Sequence, residues 1–205
     1  GDSITHGGGT VTPATEAFPV IAARRRGCAL VKIGTAGAQM DSTTAATQQQ
    51  KDGSFVEVVT ANAAVIAAAS RLVVAFGTND FNRSTPIGTL ADTARGTFLG
   101  AMRGGLAAAL AANPAVKLVF CTPLYRSISA TDAGENLIAN GVGHTLEDYR
   151  AAIRSFALRY GYPVIEGRAE MGMNALNVLQ LTTDGLHPNA AGARLWGEAV
   201  GRRLS

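Results

Sequence analysis

A serine stands in the opening Gly1-Asp2-Ser3-Ile4-Thr5, and an Asp precedes a His by three residues in Asp184-Gly185-Leu186-His187-Pro188-Asn189. A serine hydroxyl attacks a carbonyl effectively only when a base takes its proton. The base in turn needs a carboxylate to hold its tautomer and stabilise its charged form. Ser3, His187 and Asp184 supply those three groups. The short Asp184–His187 spacing lets the two side chains meet on one turn of chain, and Pro188 suits the start of a closing helix. Ser3 lies at the opposite end, so the set can operate only if the fold returns the C-terminus to the N-terminal loop. Taken singly, each residue has a plainer role: Ser3 as a helix cap, His187 and Asn79-Asp80 as turn residues, Gly37 as a left-handed turn position. Their joint occurrence is what points to nucleophilic catalysis.

The intervening chain alternates strand-like and helix-like segments. Residues 29–33, 72–76, 116–121 and 162–165 are short apolar runs, and 72–76 is nearly continuous, as expected for a strand covered on both faces. Helices are expected over 18–26, which ends at Gly27, and over 55–69, 90–112, 145–160 and 189–204. Gly104-Gly105 inside the third of these marks a kink or a close packing point. The polar stretch 41–53 reads as helix or surface loop, and 127–142 as loop. Alternating strands and helices imply a parallel sheet with helices on both faces, whose ligands bind at the carboxyl ends of the strands. There is no internal repeat and no linker, so residues 1–205 read as a single domain.

Composition narrows the classes. The 205 residues are 47% hydrophobic and 16% charged, with a net charge of +3, which describes an ordinary globular chain. Arg24-Arg25-Arg26 and Arg202-Arg203 fall near expected helix C-termini, where cations complement the dipole, and no aromatic residues are interleaved with them; nucleic-acid binding is not expected. No apolar stretch reaches membrane-spanning length. Cys28 and Cys121 border strand-like runs and read first as buried free thiols, with a bridge between them left open. A metal site from Asp2, His6 and Asp80 is the remote alternative to metal-free chemistry, and His144 carries no assigned role.

Four blocks together carry a family. Gly1-Asp2-Ser3-Ile4, the loop from Gly34 to Gly37, Gly77-Thr78-Asn79-Asp80 and Asp184-Gly185-Leu186-His187-Pro188-Asn189 resemble, in order, the sequence blocks of the SGNH (GDSL-type) hydrolases. The resemblance implies a flavodoxin-like three-layer α/β/α sandwich with a central parallel sheet of about five strands. It implies Ser3 as nucleophile, His187 as base and Asp184 as its partner. It also implies an oxyanion hole from the backbone N–H groups of Ser3 and Gly37 and the side-chain amide of Asn79, with no metal or organic cofactor. The physics agrees: an amide that stays neutral and an unhindered glycine N–H suit an anion, and each such donor is worth about 10²- to 10³-fold in rate. Asp2 is expected to hold the nucleophile loop.

Two features depart from the family pattern. The family places an apolar strand directly before its Gly-Asp-Ser turn, whereas this sequence starts at Gly1. Residues ahead of Gly1, or another segment, are therefore expected to fill a central slot that would otherwise leave backbone groups unpaired. Lys32 and Ile33 also stand where the family usually carries an Asn before its first loop glycine.

The stretches 7–15, 81–89 and 127–144 are polar and rich in Gly, Ser, Thr and Asn. They suit a small acyl group on a polar alcohol, so a carbohydrate O-acetylesterase is the leading expectation. A general short-chain esterase, thioesterase or lysophospholipase is the second reading, and a non-catalytic carbohydrate-binding or structural module the third. The expected partner is a small-molecule or carbohydrate ester.

Overall fold

Three of the expected apolar runs become strands: β1 (Arg71–Ala75), β2 (Lys117–Cys121) and β3 (Val164–Ile165). They pair in parallel in the order β1-β2-β3, with Val73 opposite Val119 and Cys121 opposite Ile165. The computed structural model describes residues 1–9, 12–127 and 137–204, so parts of two of the polar stretches, 7–15 and 127–144, lie outside the described residues.

Period-two alternation sends neighbouring strand residues to opposite faces, and each face has its own core. On one side Val74, Leu118 and Phe120 pack with α4 (Phe55–Ala61), α7 (Phe98–Ala112) and α8 (Leu146–Tyr160) through Phe55, Phe98, Met102, Ile153 and Phe156. On the other, Val73, Ala75, Val119, Cys121 and Ile165 meet α2 (Phe18–Arg26), α9 (Gly167–Met171), α10 (Val178–Leu181) and α11 (Ala190–Arg203) through Phe18, Met171, Val178, Trp196 and Val200. The result is the anticipated α/β/α sandwich, with three strands among the described residues where the family resemblance implies about five. Shorter helices complete the chain: α1 (Ser3–His6), α3 (Gln48–Asp52), α5 (Ala63–Ala68) and α6 (Thr78–Asn82).

Residues 29–33 join no ladder, unlike the expectation. A strand exists only with a neighbour, and what this segment finds is the Gly1 amine donating to Ile33 O at 3.1 Å and the Thr35 N–H donating to Gly1 O at 3.0 Å. Leu30 and Val31 stay 42% and 64% exposed. The expected helix over 55–69 divides at Asn62, which caps α4 with its backbone N–H and donates its side-chain amide to Val58 O at 2.8 Å. Helix α7 starts at Phe98, not near residue 90. Asp92 accepts from the Thr89 and Thr97 hydroxyls at 2.7 and 2.8 Å, and Gly96 sits at φ 114°. Those local side-chain bonds offer the backbone an alternative to helix.

Candidate active site

Each strand of the sheet delivers its chain to the same rim. After β1 the chain runs through Phe76 and Gly77 into α6, which carries Asn79. Gly77 has φ 119°, a backbone state open to glycine at low cost, and it aims the helix away from the strand. After β2, the Ser127 N–H donates to Gly185 O at 2.9 Å, which ties this rim to the Asp184–His187 turn. That turn is fixed further by the Thr183 N–H on His187 O at 2.9 Å and the Gly185 N–H on the Thr182 hydroxyl at 3.0 Å. Asn189 then caps α11 by accepting from Ala191 and Gly192, both at 3.1 Å.

Ser3 opens α1, whose cap is Asp2: the buried Asp2 carboxylate accepts from the Ile4 N–H at 3.0 Å. The Ser3 hydroxyl lies 3.0 Å from His187 Nε2, across 184 positions of sequence. His187 Nδ1 lies 2.7 Å from Asp184 Oδ2. The other carboxylate oxygen, Oδ1, accepts from the Leu186 and His187 backbone N–H groups at 3.0 and 2.7 Å, so the carboxylate is aimed before it meets the ring. Partial burial pushes the Asp184 carboxyl up, but the His187 and Leu186 contacts outweigh it, and it stays below the usual carboxylate range. A hydroxyl, an imidazole and an ionised carboxylate in this chain of hydrogen bonds can move a proton from the first to the second while the third stabilises the charge.

The two other candidate donors are brought together as well. Asn79 Nδ2 donates to Ala38 O at 2.9 Å, one residue from Gly37. That bond commits one N–H of the amide and leaves the second for another acceptor. Gly37 has φ 73°, and a Cβ there would overlap the Gln50 side chain. The Asn79 and Gly37 segments are held together by Asp80, which is fully buried and accepts from the Met40 N–H at 2.9 and 3.1 Å and from the Asp41 N–H at 3.3 Å. The Ser3 N–H, on the first residue of α1, is used by no described hydrogen bond.

Sequence reasoning missed several contributors. Gly8 lies against the site: a Cβ on it would stand 3.1 Å from His187 Cδ2 and 3.4 Å from Ser3 Cβ. A Cβ on Gly9 would stand 3.3 Å from His187 Cβ. The run Gly7-Gly8-Gly9 directly after the serine motif was the available signal. The anchoring role of Asp80 was missed because its partners are backbone groups distant in sequence. Other expectations resolve differently. Cys28 is exposed and Cys121 buried, and both are free, so the pair is not two buried thiols. Cys28 follows the Gly27 cap of α2 in a segment that joins no strand and is exposed, while burial on β2 pushes the Cys121 thiol up to about 12. His6 Nδ1 faces Gly34 O at 3.2 Å, and among the described residues no cluster of His, Cys, Asp and Glu has the form of a metal site. A cavity of about 360 Å³ lies elsewhere, lined by Arg150, Arg154, Arg168, Glu147 and Glu166, and touches none of Ser3, Asp184 and His187. Its carboxylates already pair with Arg150 and Arg154.

The sequence profile of the GDSL-like lipase/acylhydrolase family matches residues 1–195. The chain belongs to that family. Membership makes ester hydrolysis the general activity of the class to which this GDSL-family chain belongs. Solved structures agree on the fold. A protein from Lactobacillus plantarum is 25% identical, with a TM-score of 0.80 over 99% of this chain and 92% of that one. Est24, a carbohydrate acetylesterase from Sinorhizobium meliloti, is 15% identical, with a TM-score of 0.71 over 99% and 94%. SsfX3, a salicylyl-acyltransferase from a tetracycline biosynthetic pathway, is 21% identical, with a TM-score of 0.68 over 100% of this chain and 52% of that one. No curated protein matches the GDSL-family chain. Among the described residues no helix is long and apolar enough to cross a membrane.

Proposed function

We propose that this GDSL-family chain is a single-domain serine esterase that removes short acyl groups, acetyl foremost, from a carbohydrate alcohol. The observation that carries the proposal is the hydrogen-bonded series Ser3 Oγ, His187 Nε2, His187 Nδ1, Asp184 Oδ2. In the first half-reaction Ser3 Oγ bonds to the ester carbonyl carbon while its proton passes to His187 Nε2. The carbonyl oxygen becomes an anion, which the N–H groups of Ser3, Gly37 and Asn79 receive. The alcohol leaves with the proton from His187, and an acyl-serine remains. Water then repeats the path: it gives a proton to His187, attacks the acyl carbon, and Ser3 leaves with that proton. The polar character of the sequence stretches 7–15, 81–89 and 127–144 favours the carbohydrate ester, and the same fold serves a carbohydrate acetylesterase.

The test is hydrolysis of p-nitrophenyl acetate and of acetylated xylan by the wild type and by Ser3→Ala, with fluorophosphonate labelling of both proteins. The expected result is Ser3-dependent turnover of both substrates and labelling confined to the wild type. Turnover of p-nitrophenyl esters alone would make the chain a general short-chain esterase. A folded wild type that neither labels nor turns over would make it a non-catalytic module.

A further inference from the structure

The side chains of Gln50 on α3 and Arg83 at the end of α6 flank the Gly37–Asn79 side of the site, and no role for them follows from the reaction above. Arg83 lies one helical turn beyond Asn79, and its backbone N–H donates to Asn79 O at 2.9 Å. Residues so spaced share a helix face. The Arg83 guanidinium donates to Gln50 Oε1 at 3.1 Å, and the Ala46 N–H donates to the same oxygen at 3.0 Å. Two obligate donors on one oxygen fix which way the amide points, so Nε2 is the atom turned toward Gly37. It is the Gln50 atom that a Cβ on Gly37 would strike first. Among the described residues Gln50 Nε2 has no acceptor and Arg83 has no carboxylate partner. Asp80, the nearest carboxylate along the chain, is turned away onto the Met40 and Asp41 N–H groups. Glu57 is taken by Arg95.

The group formed by Gln50 Nε2 and Arg83 therefore offers only donors and carries one positive charge. A sugar hydroxyl can accept from these donors but finds no acceptor here for its own proton. A carboxylate needs donors alone, and arginine is the side chain best shaped to meet one. The geometry points to Gln50 and Arg83 as a subsite for a carboxylate borne by the ester substrate, beside the oxyanion donors. This inference rests on the esterase reading and narrows it to esters with an anionic acyl or alcohol part.

Two experiments separate the two ideas. In kinetics, p-nitrophenyl acetate is compared with p-nitrophenyl hydrogen succinate, and acetylated glucose with acetylated glucuronic acid. The wild type should prefer at least one anionic member of these pairs. In Arg83→Gln, kcat/KM for that substrate should fall about tenfold or more, chiefly through KM, while p-nitrophenyl acetate changes less than about twofold; in Gln50→Glu the anionic substrate should lose at least about tenfold more than p-nitrophenyl acetate does. Gln50→Glu keeps an oxygen for Ala46 and Arg83, so a folding defect is not expected to intervene. In NMR, succinate should shift the Gln50 side-chain amide and Arg83 signals of the wild type and leave the Arg83 signals of Gln50→Glu in place. Equal effects on neutral and anionic esters, or no preference in the wild type, would overturn the subsite while leaving the esterase intact. If no Ser3-dependent turnover exists, the NMR titration decides alone, and no succinate shift at Gln50 and Arg83 would overturn the subsite.

Discussion

Asp80 holds more of the site than its neighbour Asn79 does, although it touches no candidate reacting atom. Its carboxylate ties α6 to the 38–41 segment through three backbone contacts. Burial pushes its pKa up to about 7 from 3.8, against the pull of the Met40 and Asp41 N–H groups. Between those two values the folded protein keeps a proton that the unfolded chain has released, so Asp80 contributes most to stability at the acid side of that window and less as pH rises through it. Asp80→Asn removes the titration. The melting temperature of the wild type relative to Asp80→Asn should be more favourable at about pH 5 than at about pH 8. A difference independent of pH would show that Asp80 titrates normally. The Ser3, His187 and Asp184 types were legible in the sequence because motif spacing exposes them. The anchor was not, because a carboxylate that binds main-chain groups leaves no sequence pattern at the far end.

At the level of elements, the Gly104-Gly105 pair in α7 resolves as a packing point. A Cβ on Gly105 would overlap the Phe55 ring of α4, so the glycine lets the two helices approach. Gly105→Ala should cost about 1–3 kcal/mol by overpacking, read as a lower urea midpoint with unchanged slope. An unchanged midpoint would mean that Phe55 moves aside freely. Helices with strong local signals formed where the sequence placed them. Helix α8 has a complete capping box from Thr145 and Asp148 and ends at Gly161 with φ 74°. Helix α2 ends at Gly27 with φ 63°. The segments that departed lacked such signals or lacked partners. Residues 29–33 are apolar enough for a strand, but pairing is a tertiary property and the ladder does not reach them.

Across the whole molecule, the two chain ends meet because α11 packs against α2. Trp196 is buried and its ring lies 5.7 Å from that of Phe18. A Cβ on Gly197 would come within 2.7 Å of Phe18 O, so the backbones pass close together there. This packing seats the Asn189 cap and, with it, His187 opposite Ser3. Trp196→Ala should cost about 3–5 kcal/mol, measured by urea denaturation. A loss below about 1 kcal/mol would place the bond between the two ends elsewhere.

The sequence alone determined the chemical groups and the class of fold. Ser3, Asp184 and His187 stand out by type and local spacing, Asn79 and Gly37 through the resemblance of their blocks to a family pattern, and the alternation of apolar runs with amphipathic segments dictates a parallel sheet between helical layers. Only the tertiary structure decided how those groups meet. The 3.0 Å contact between Ser3 and His187, the clamp of Asp80 on the 38–41 segment, and the turning of Gln50 toward Gly37 all join residues far apart in sequence. Such contacts depend on which faces bury against which. That is settled by packing the whole chain, and no local pattern encodes it.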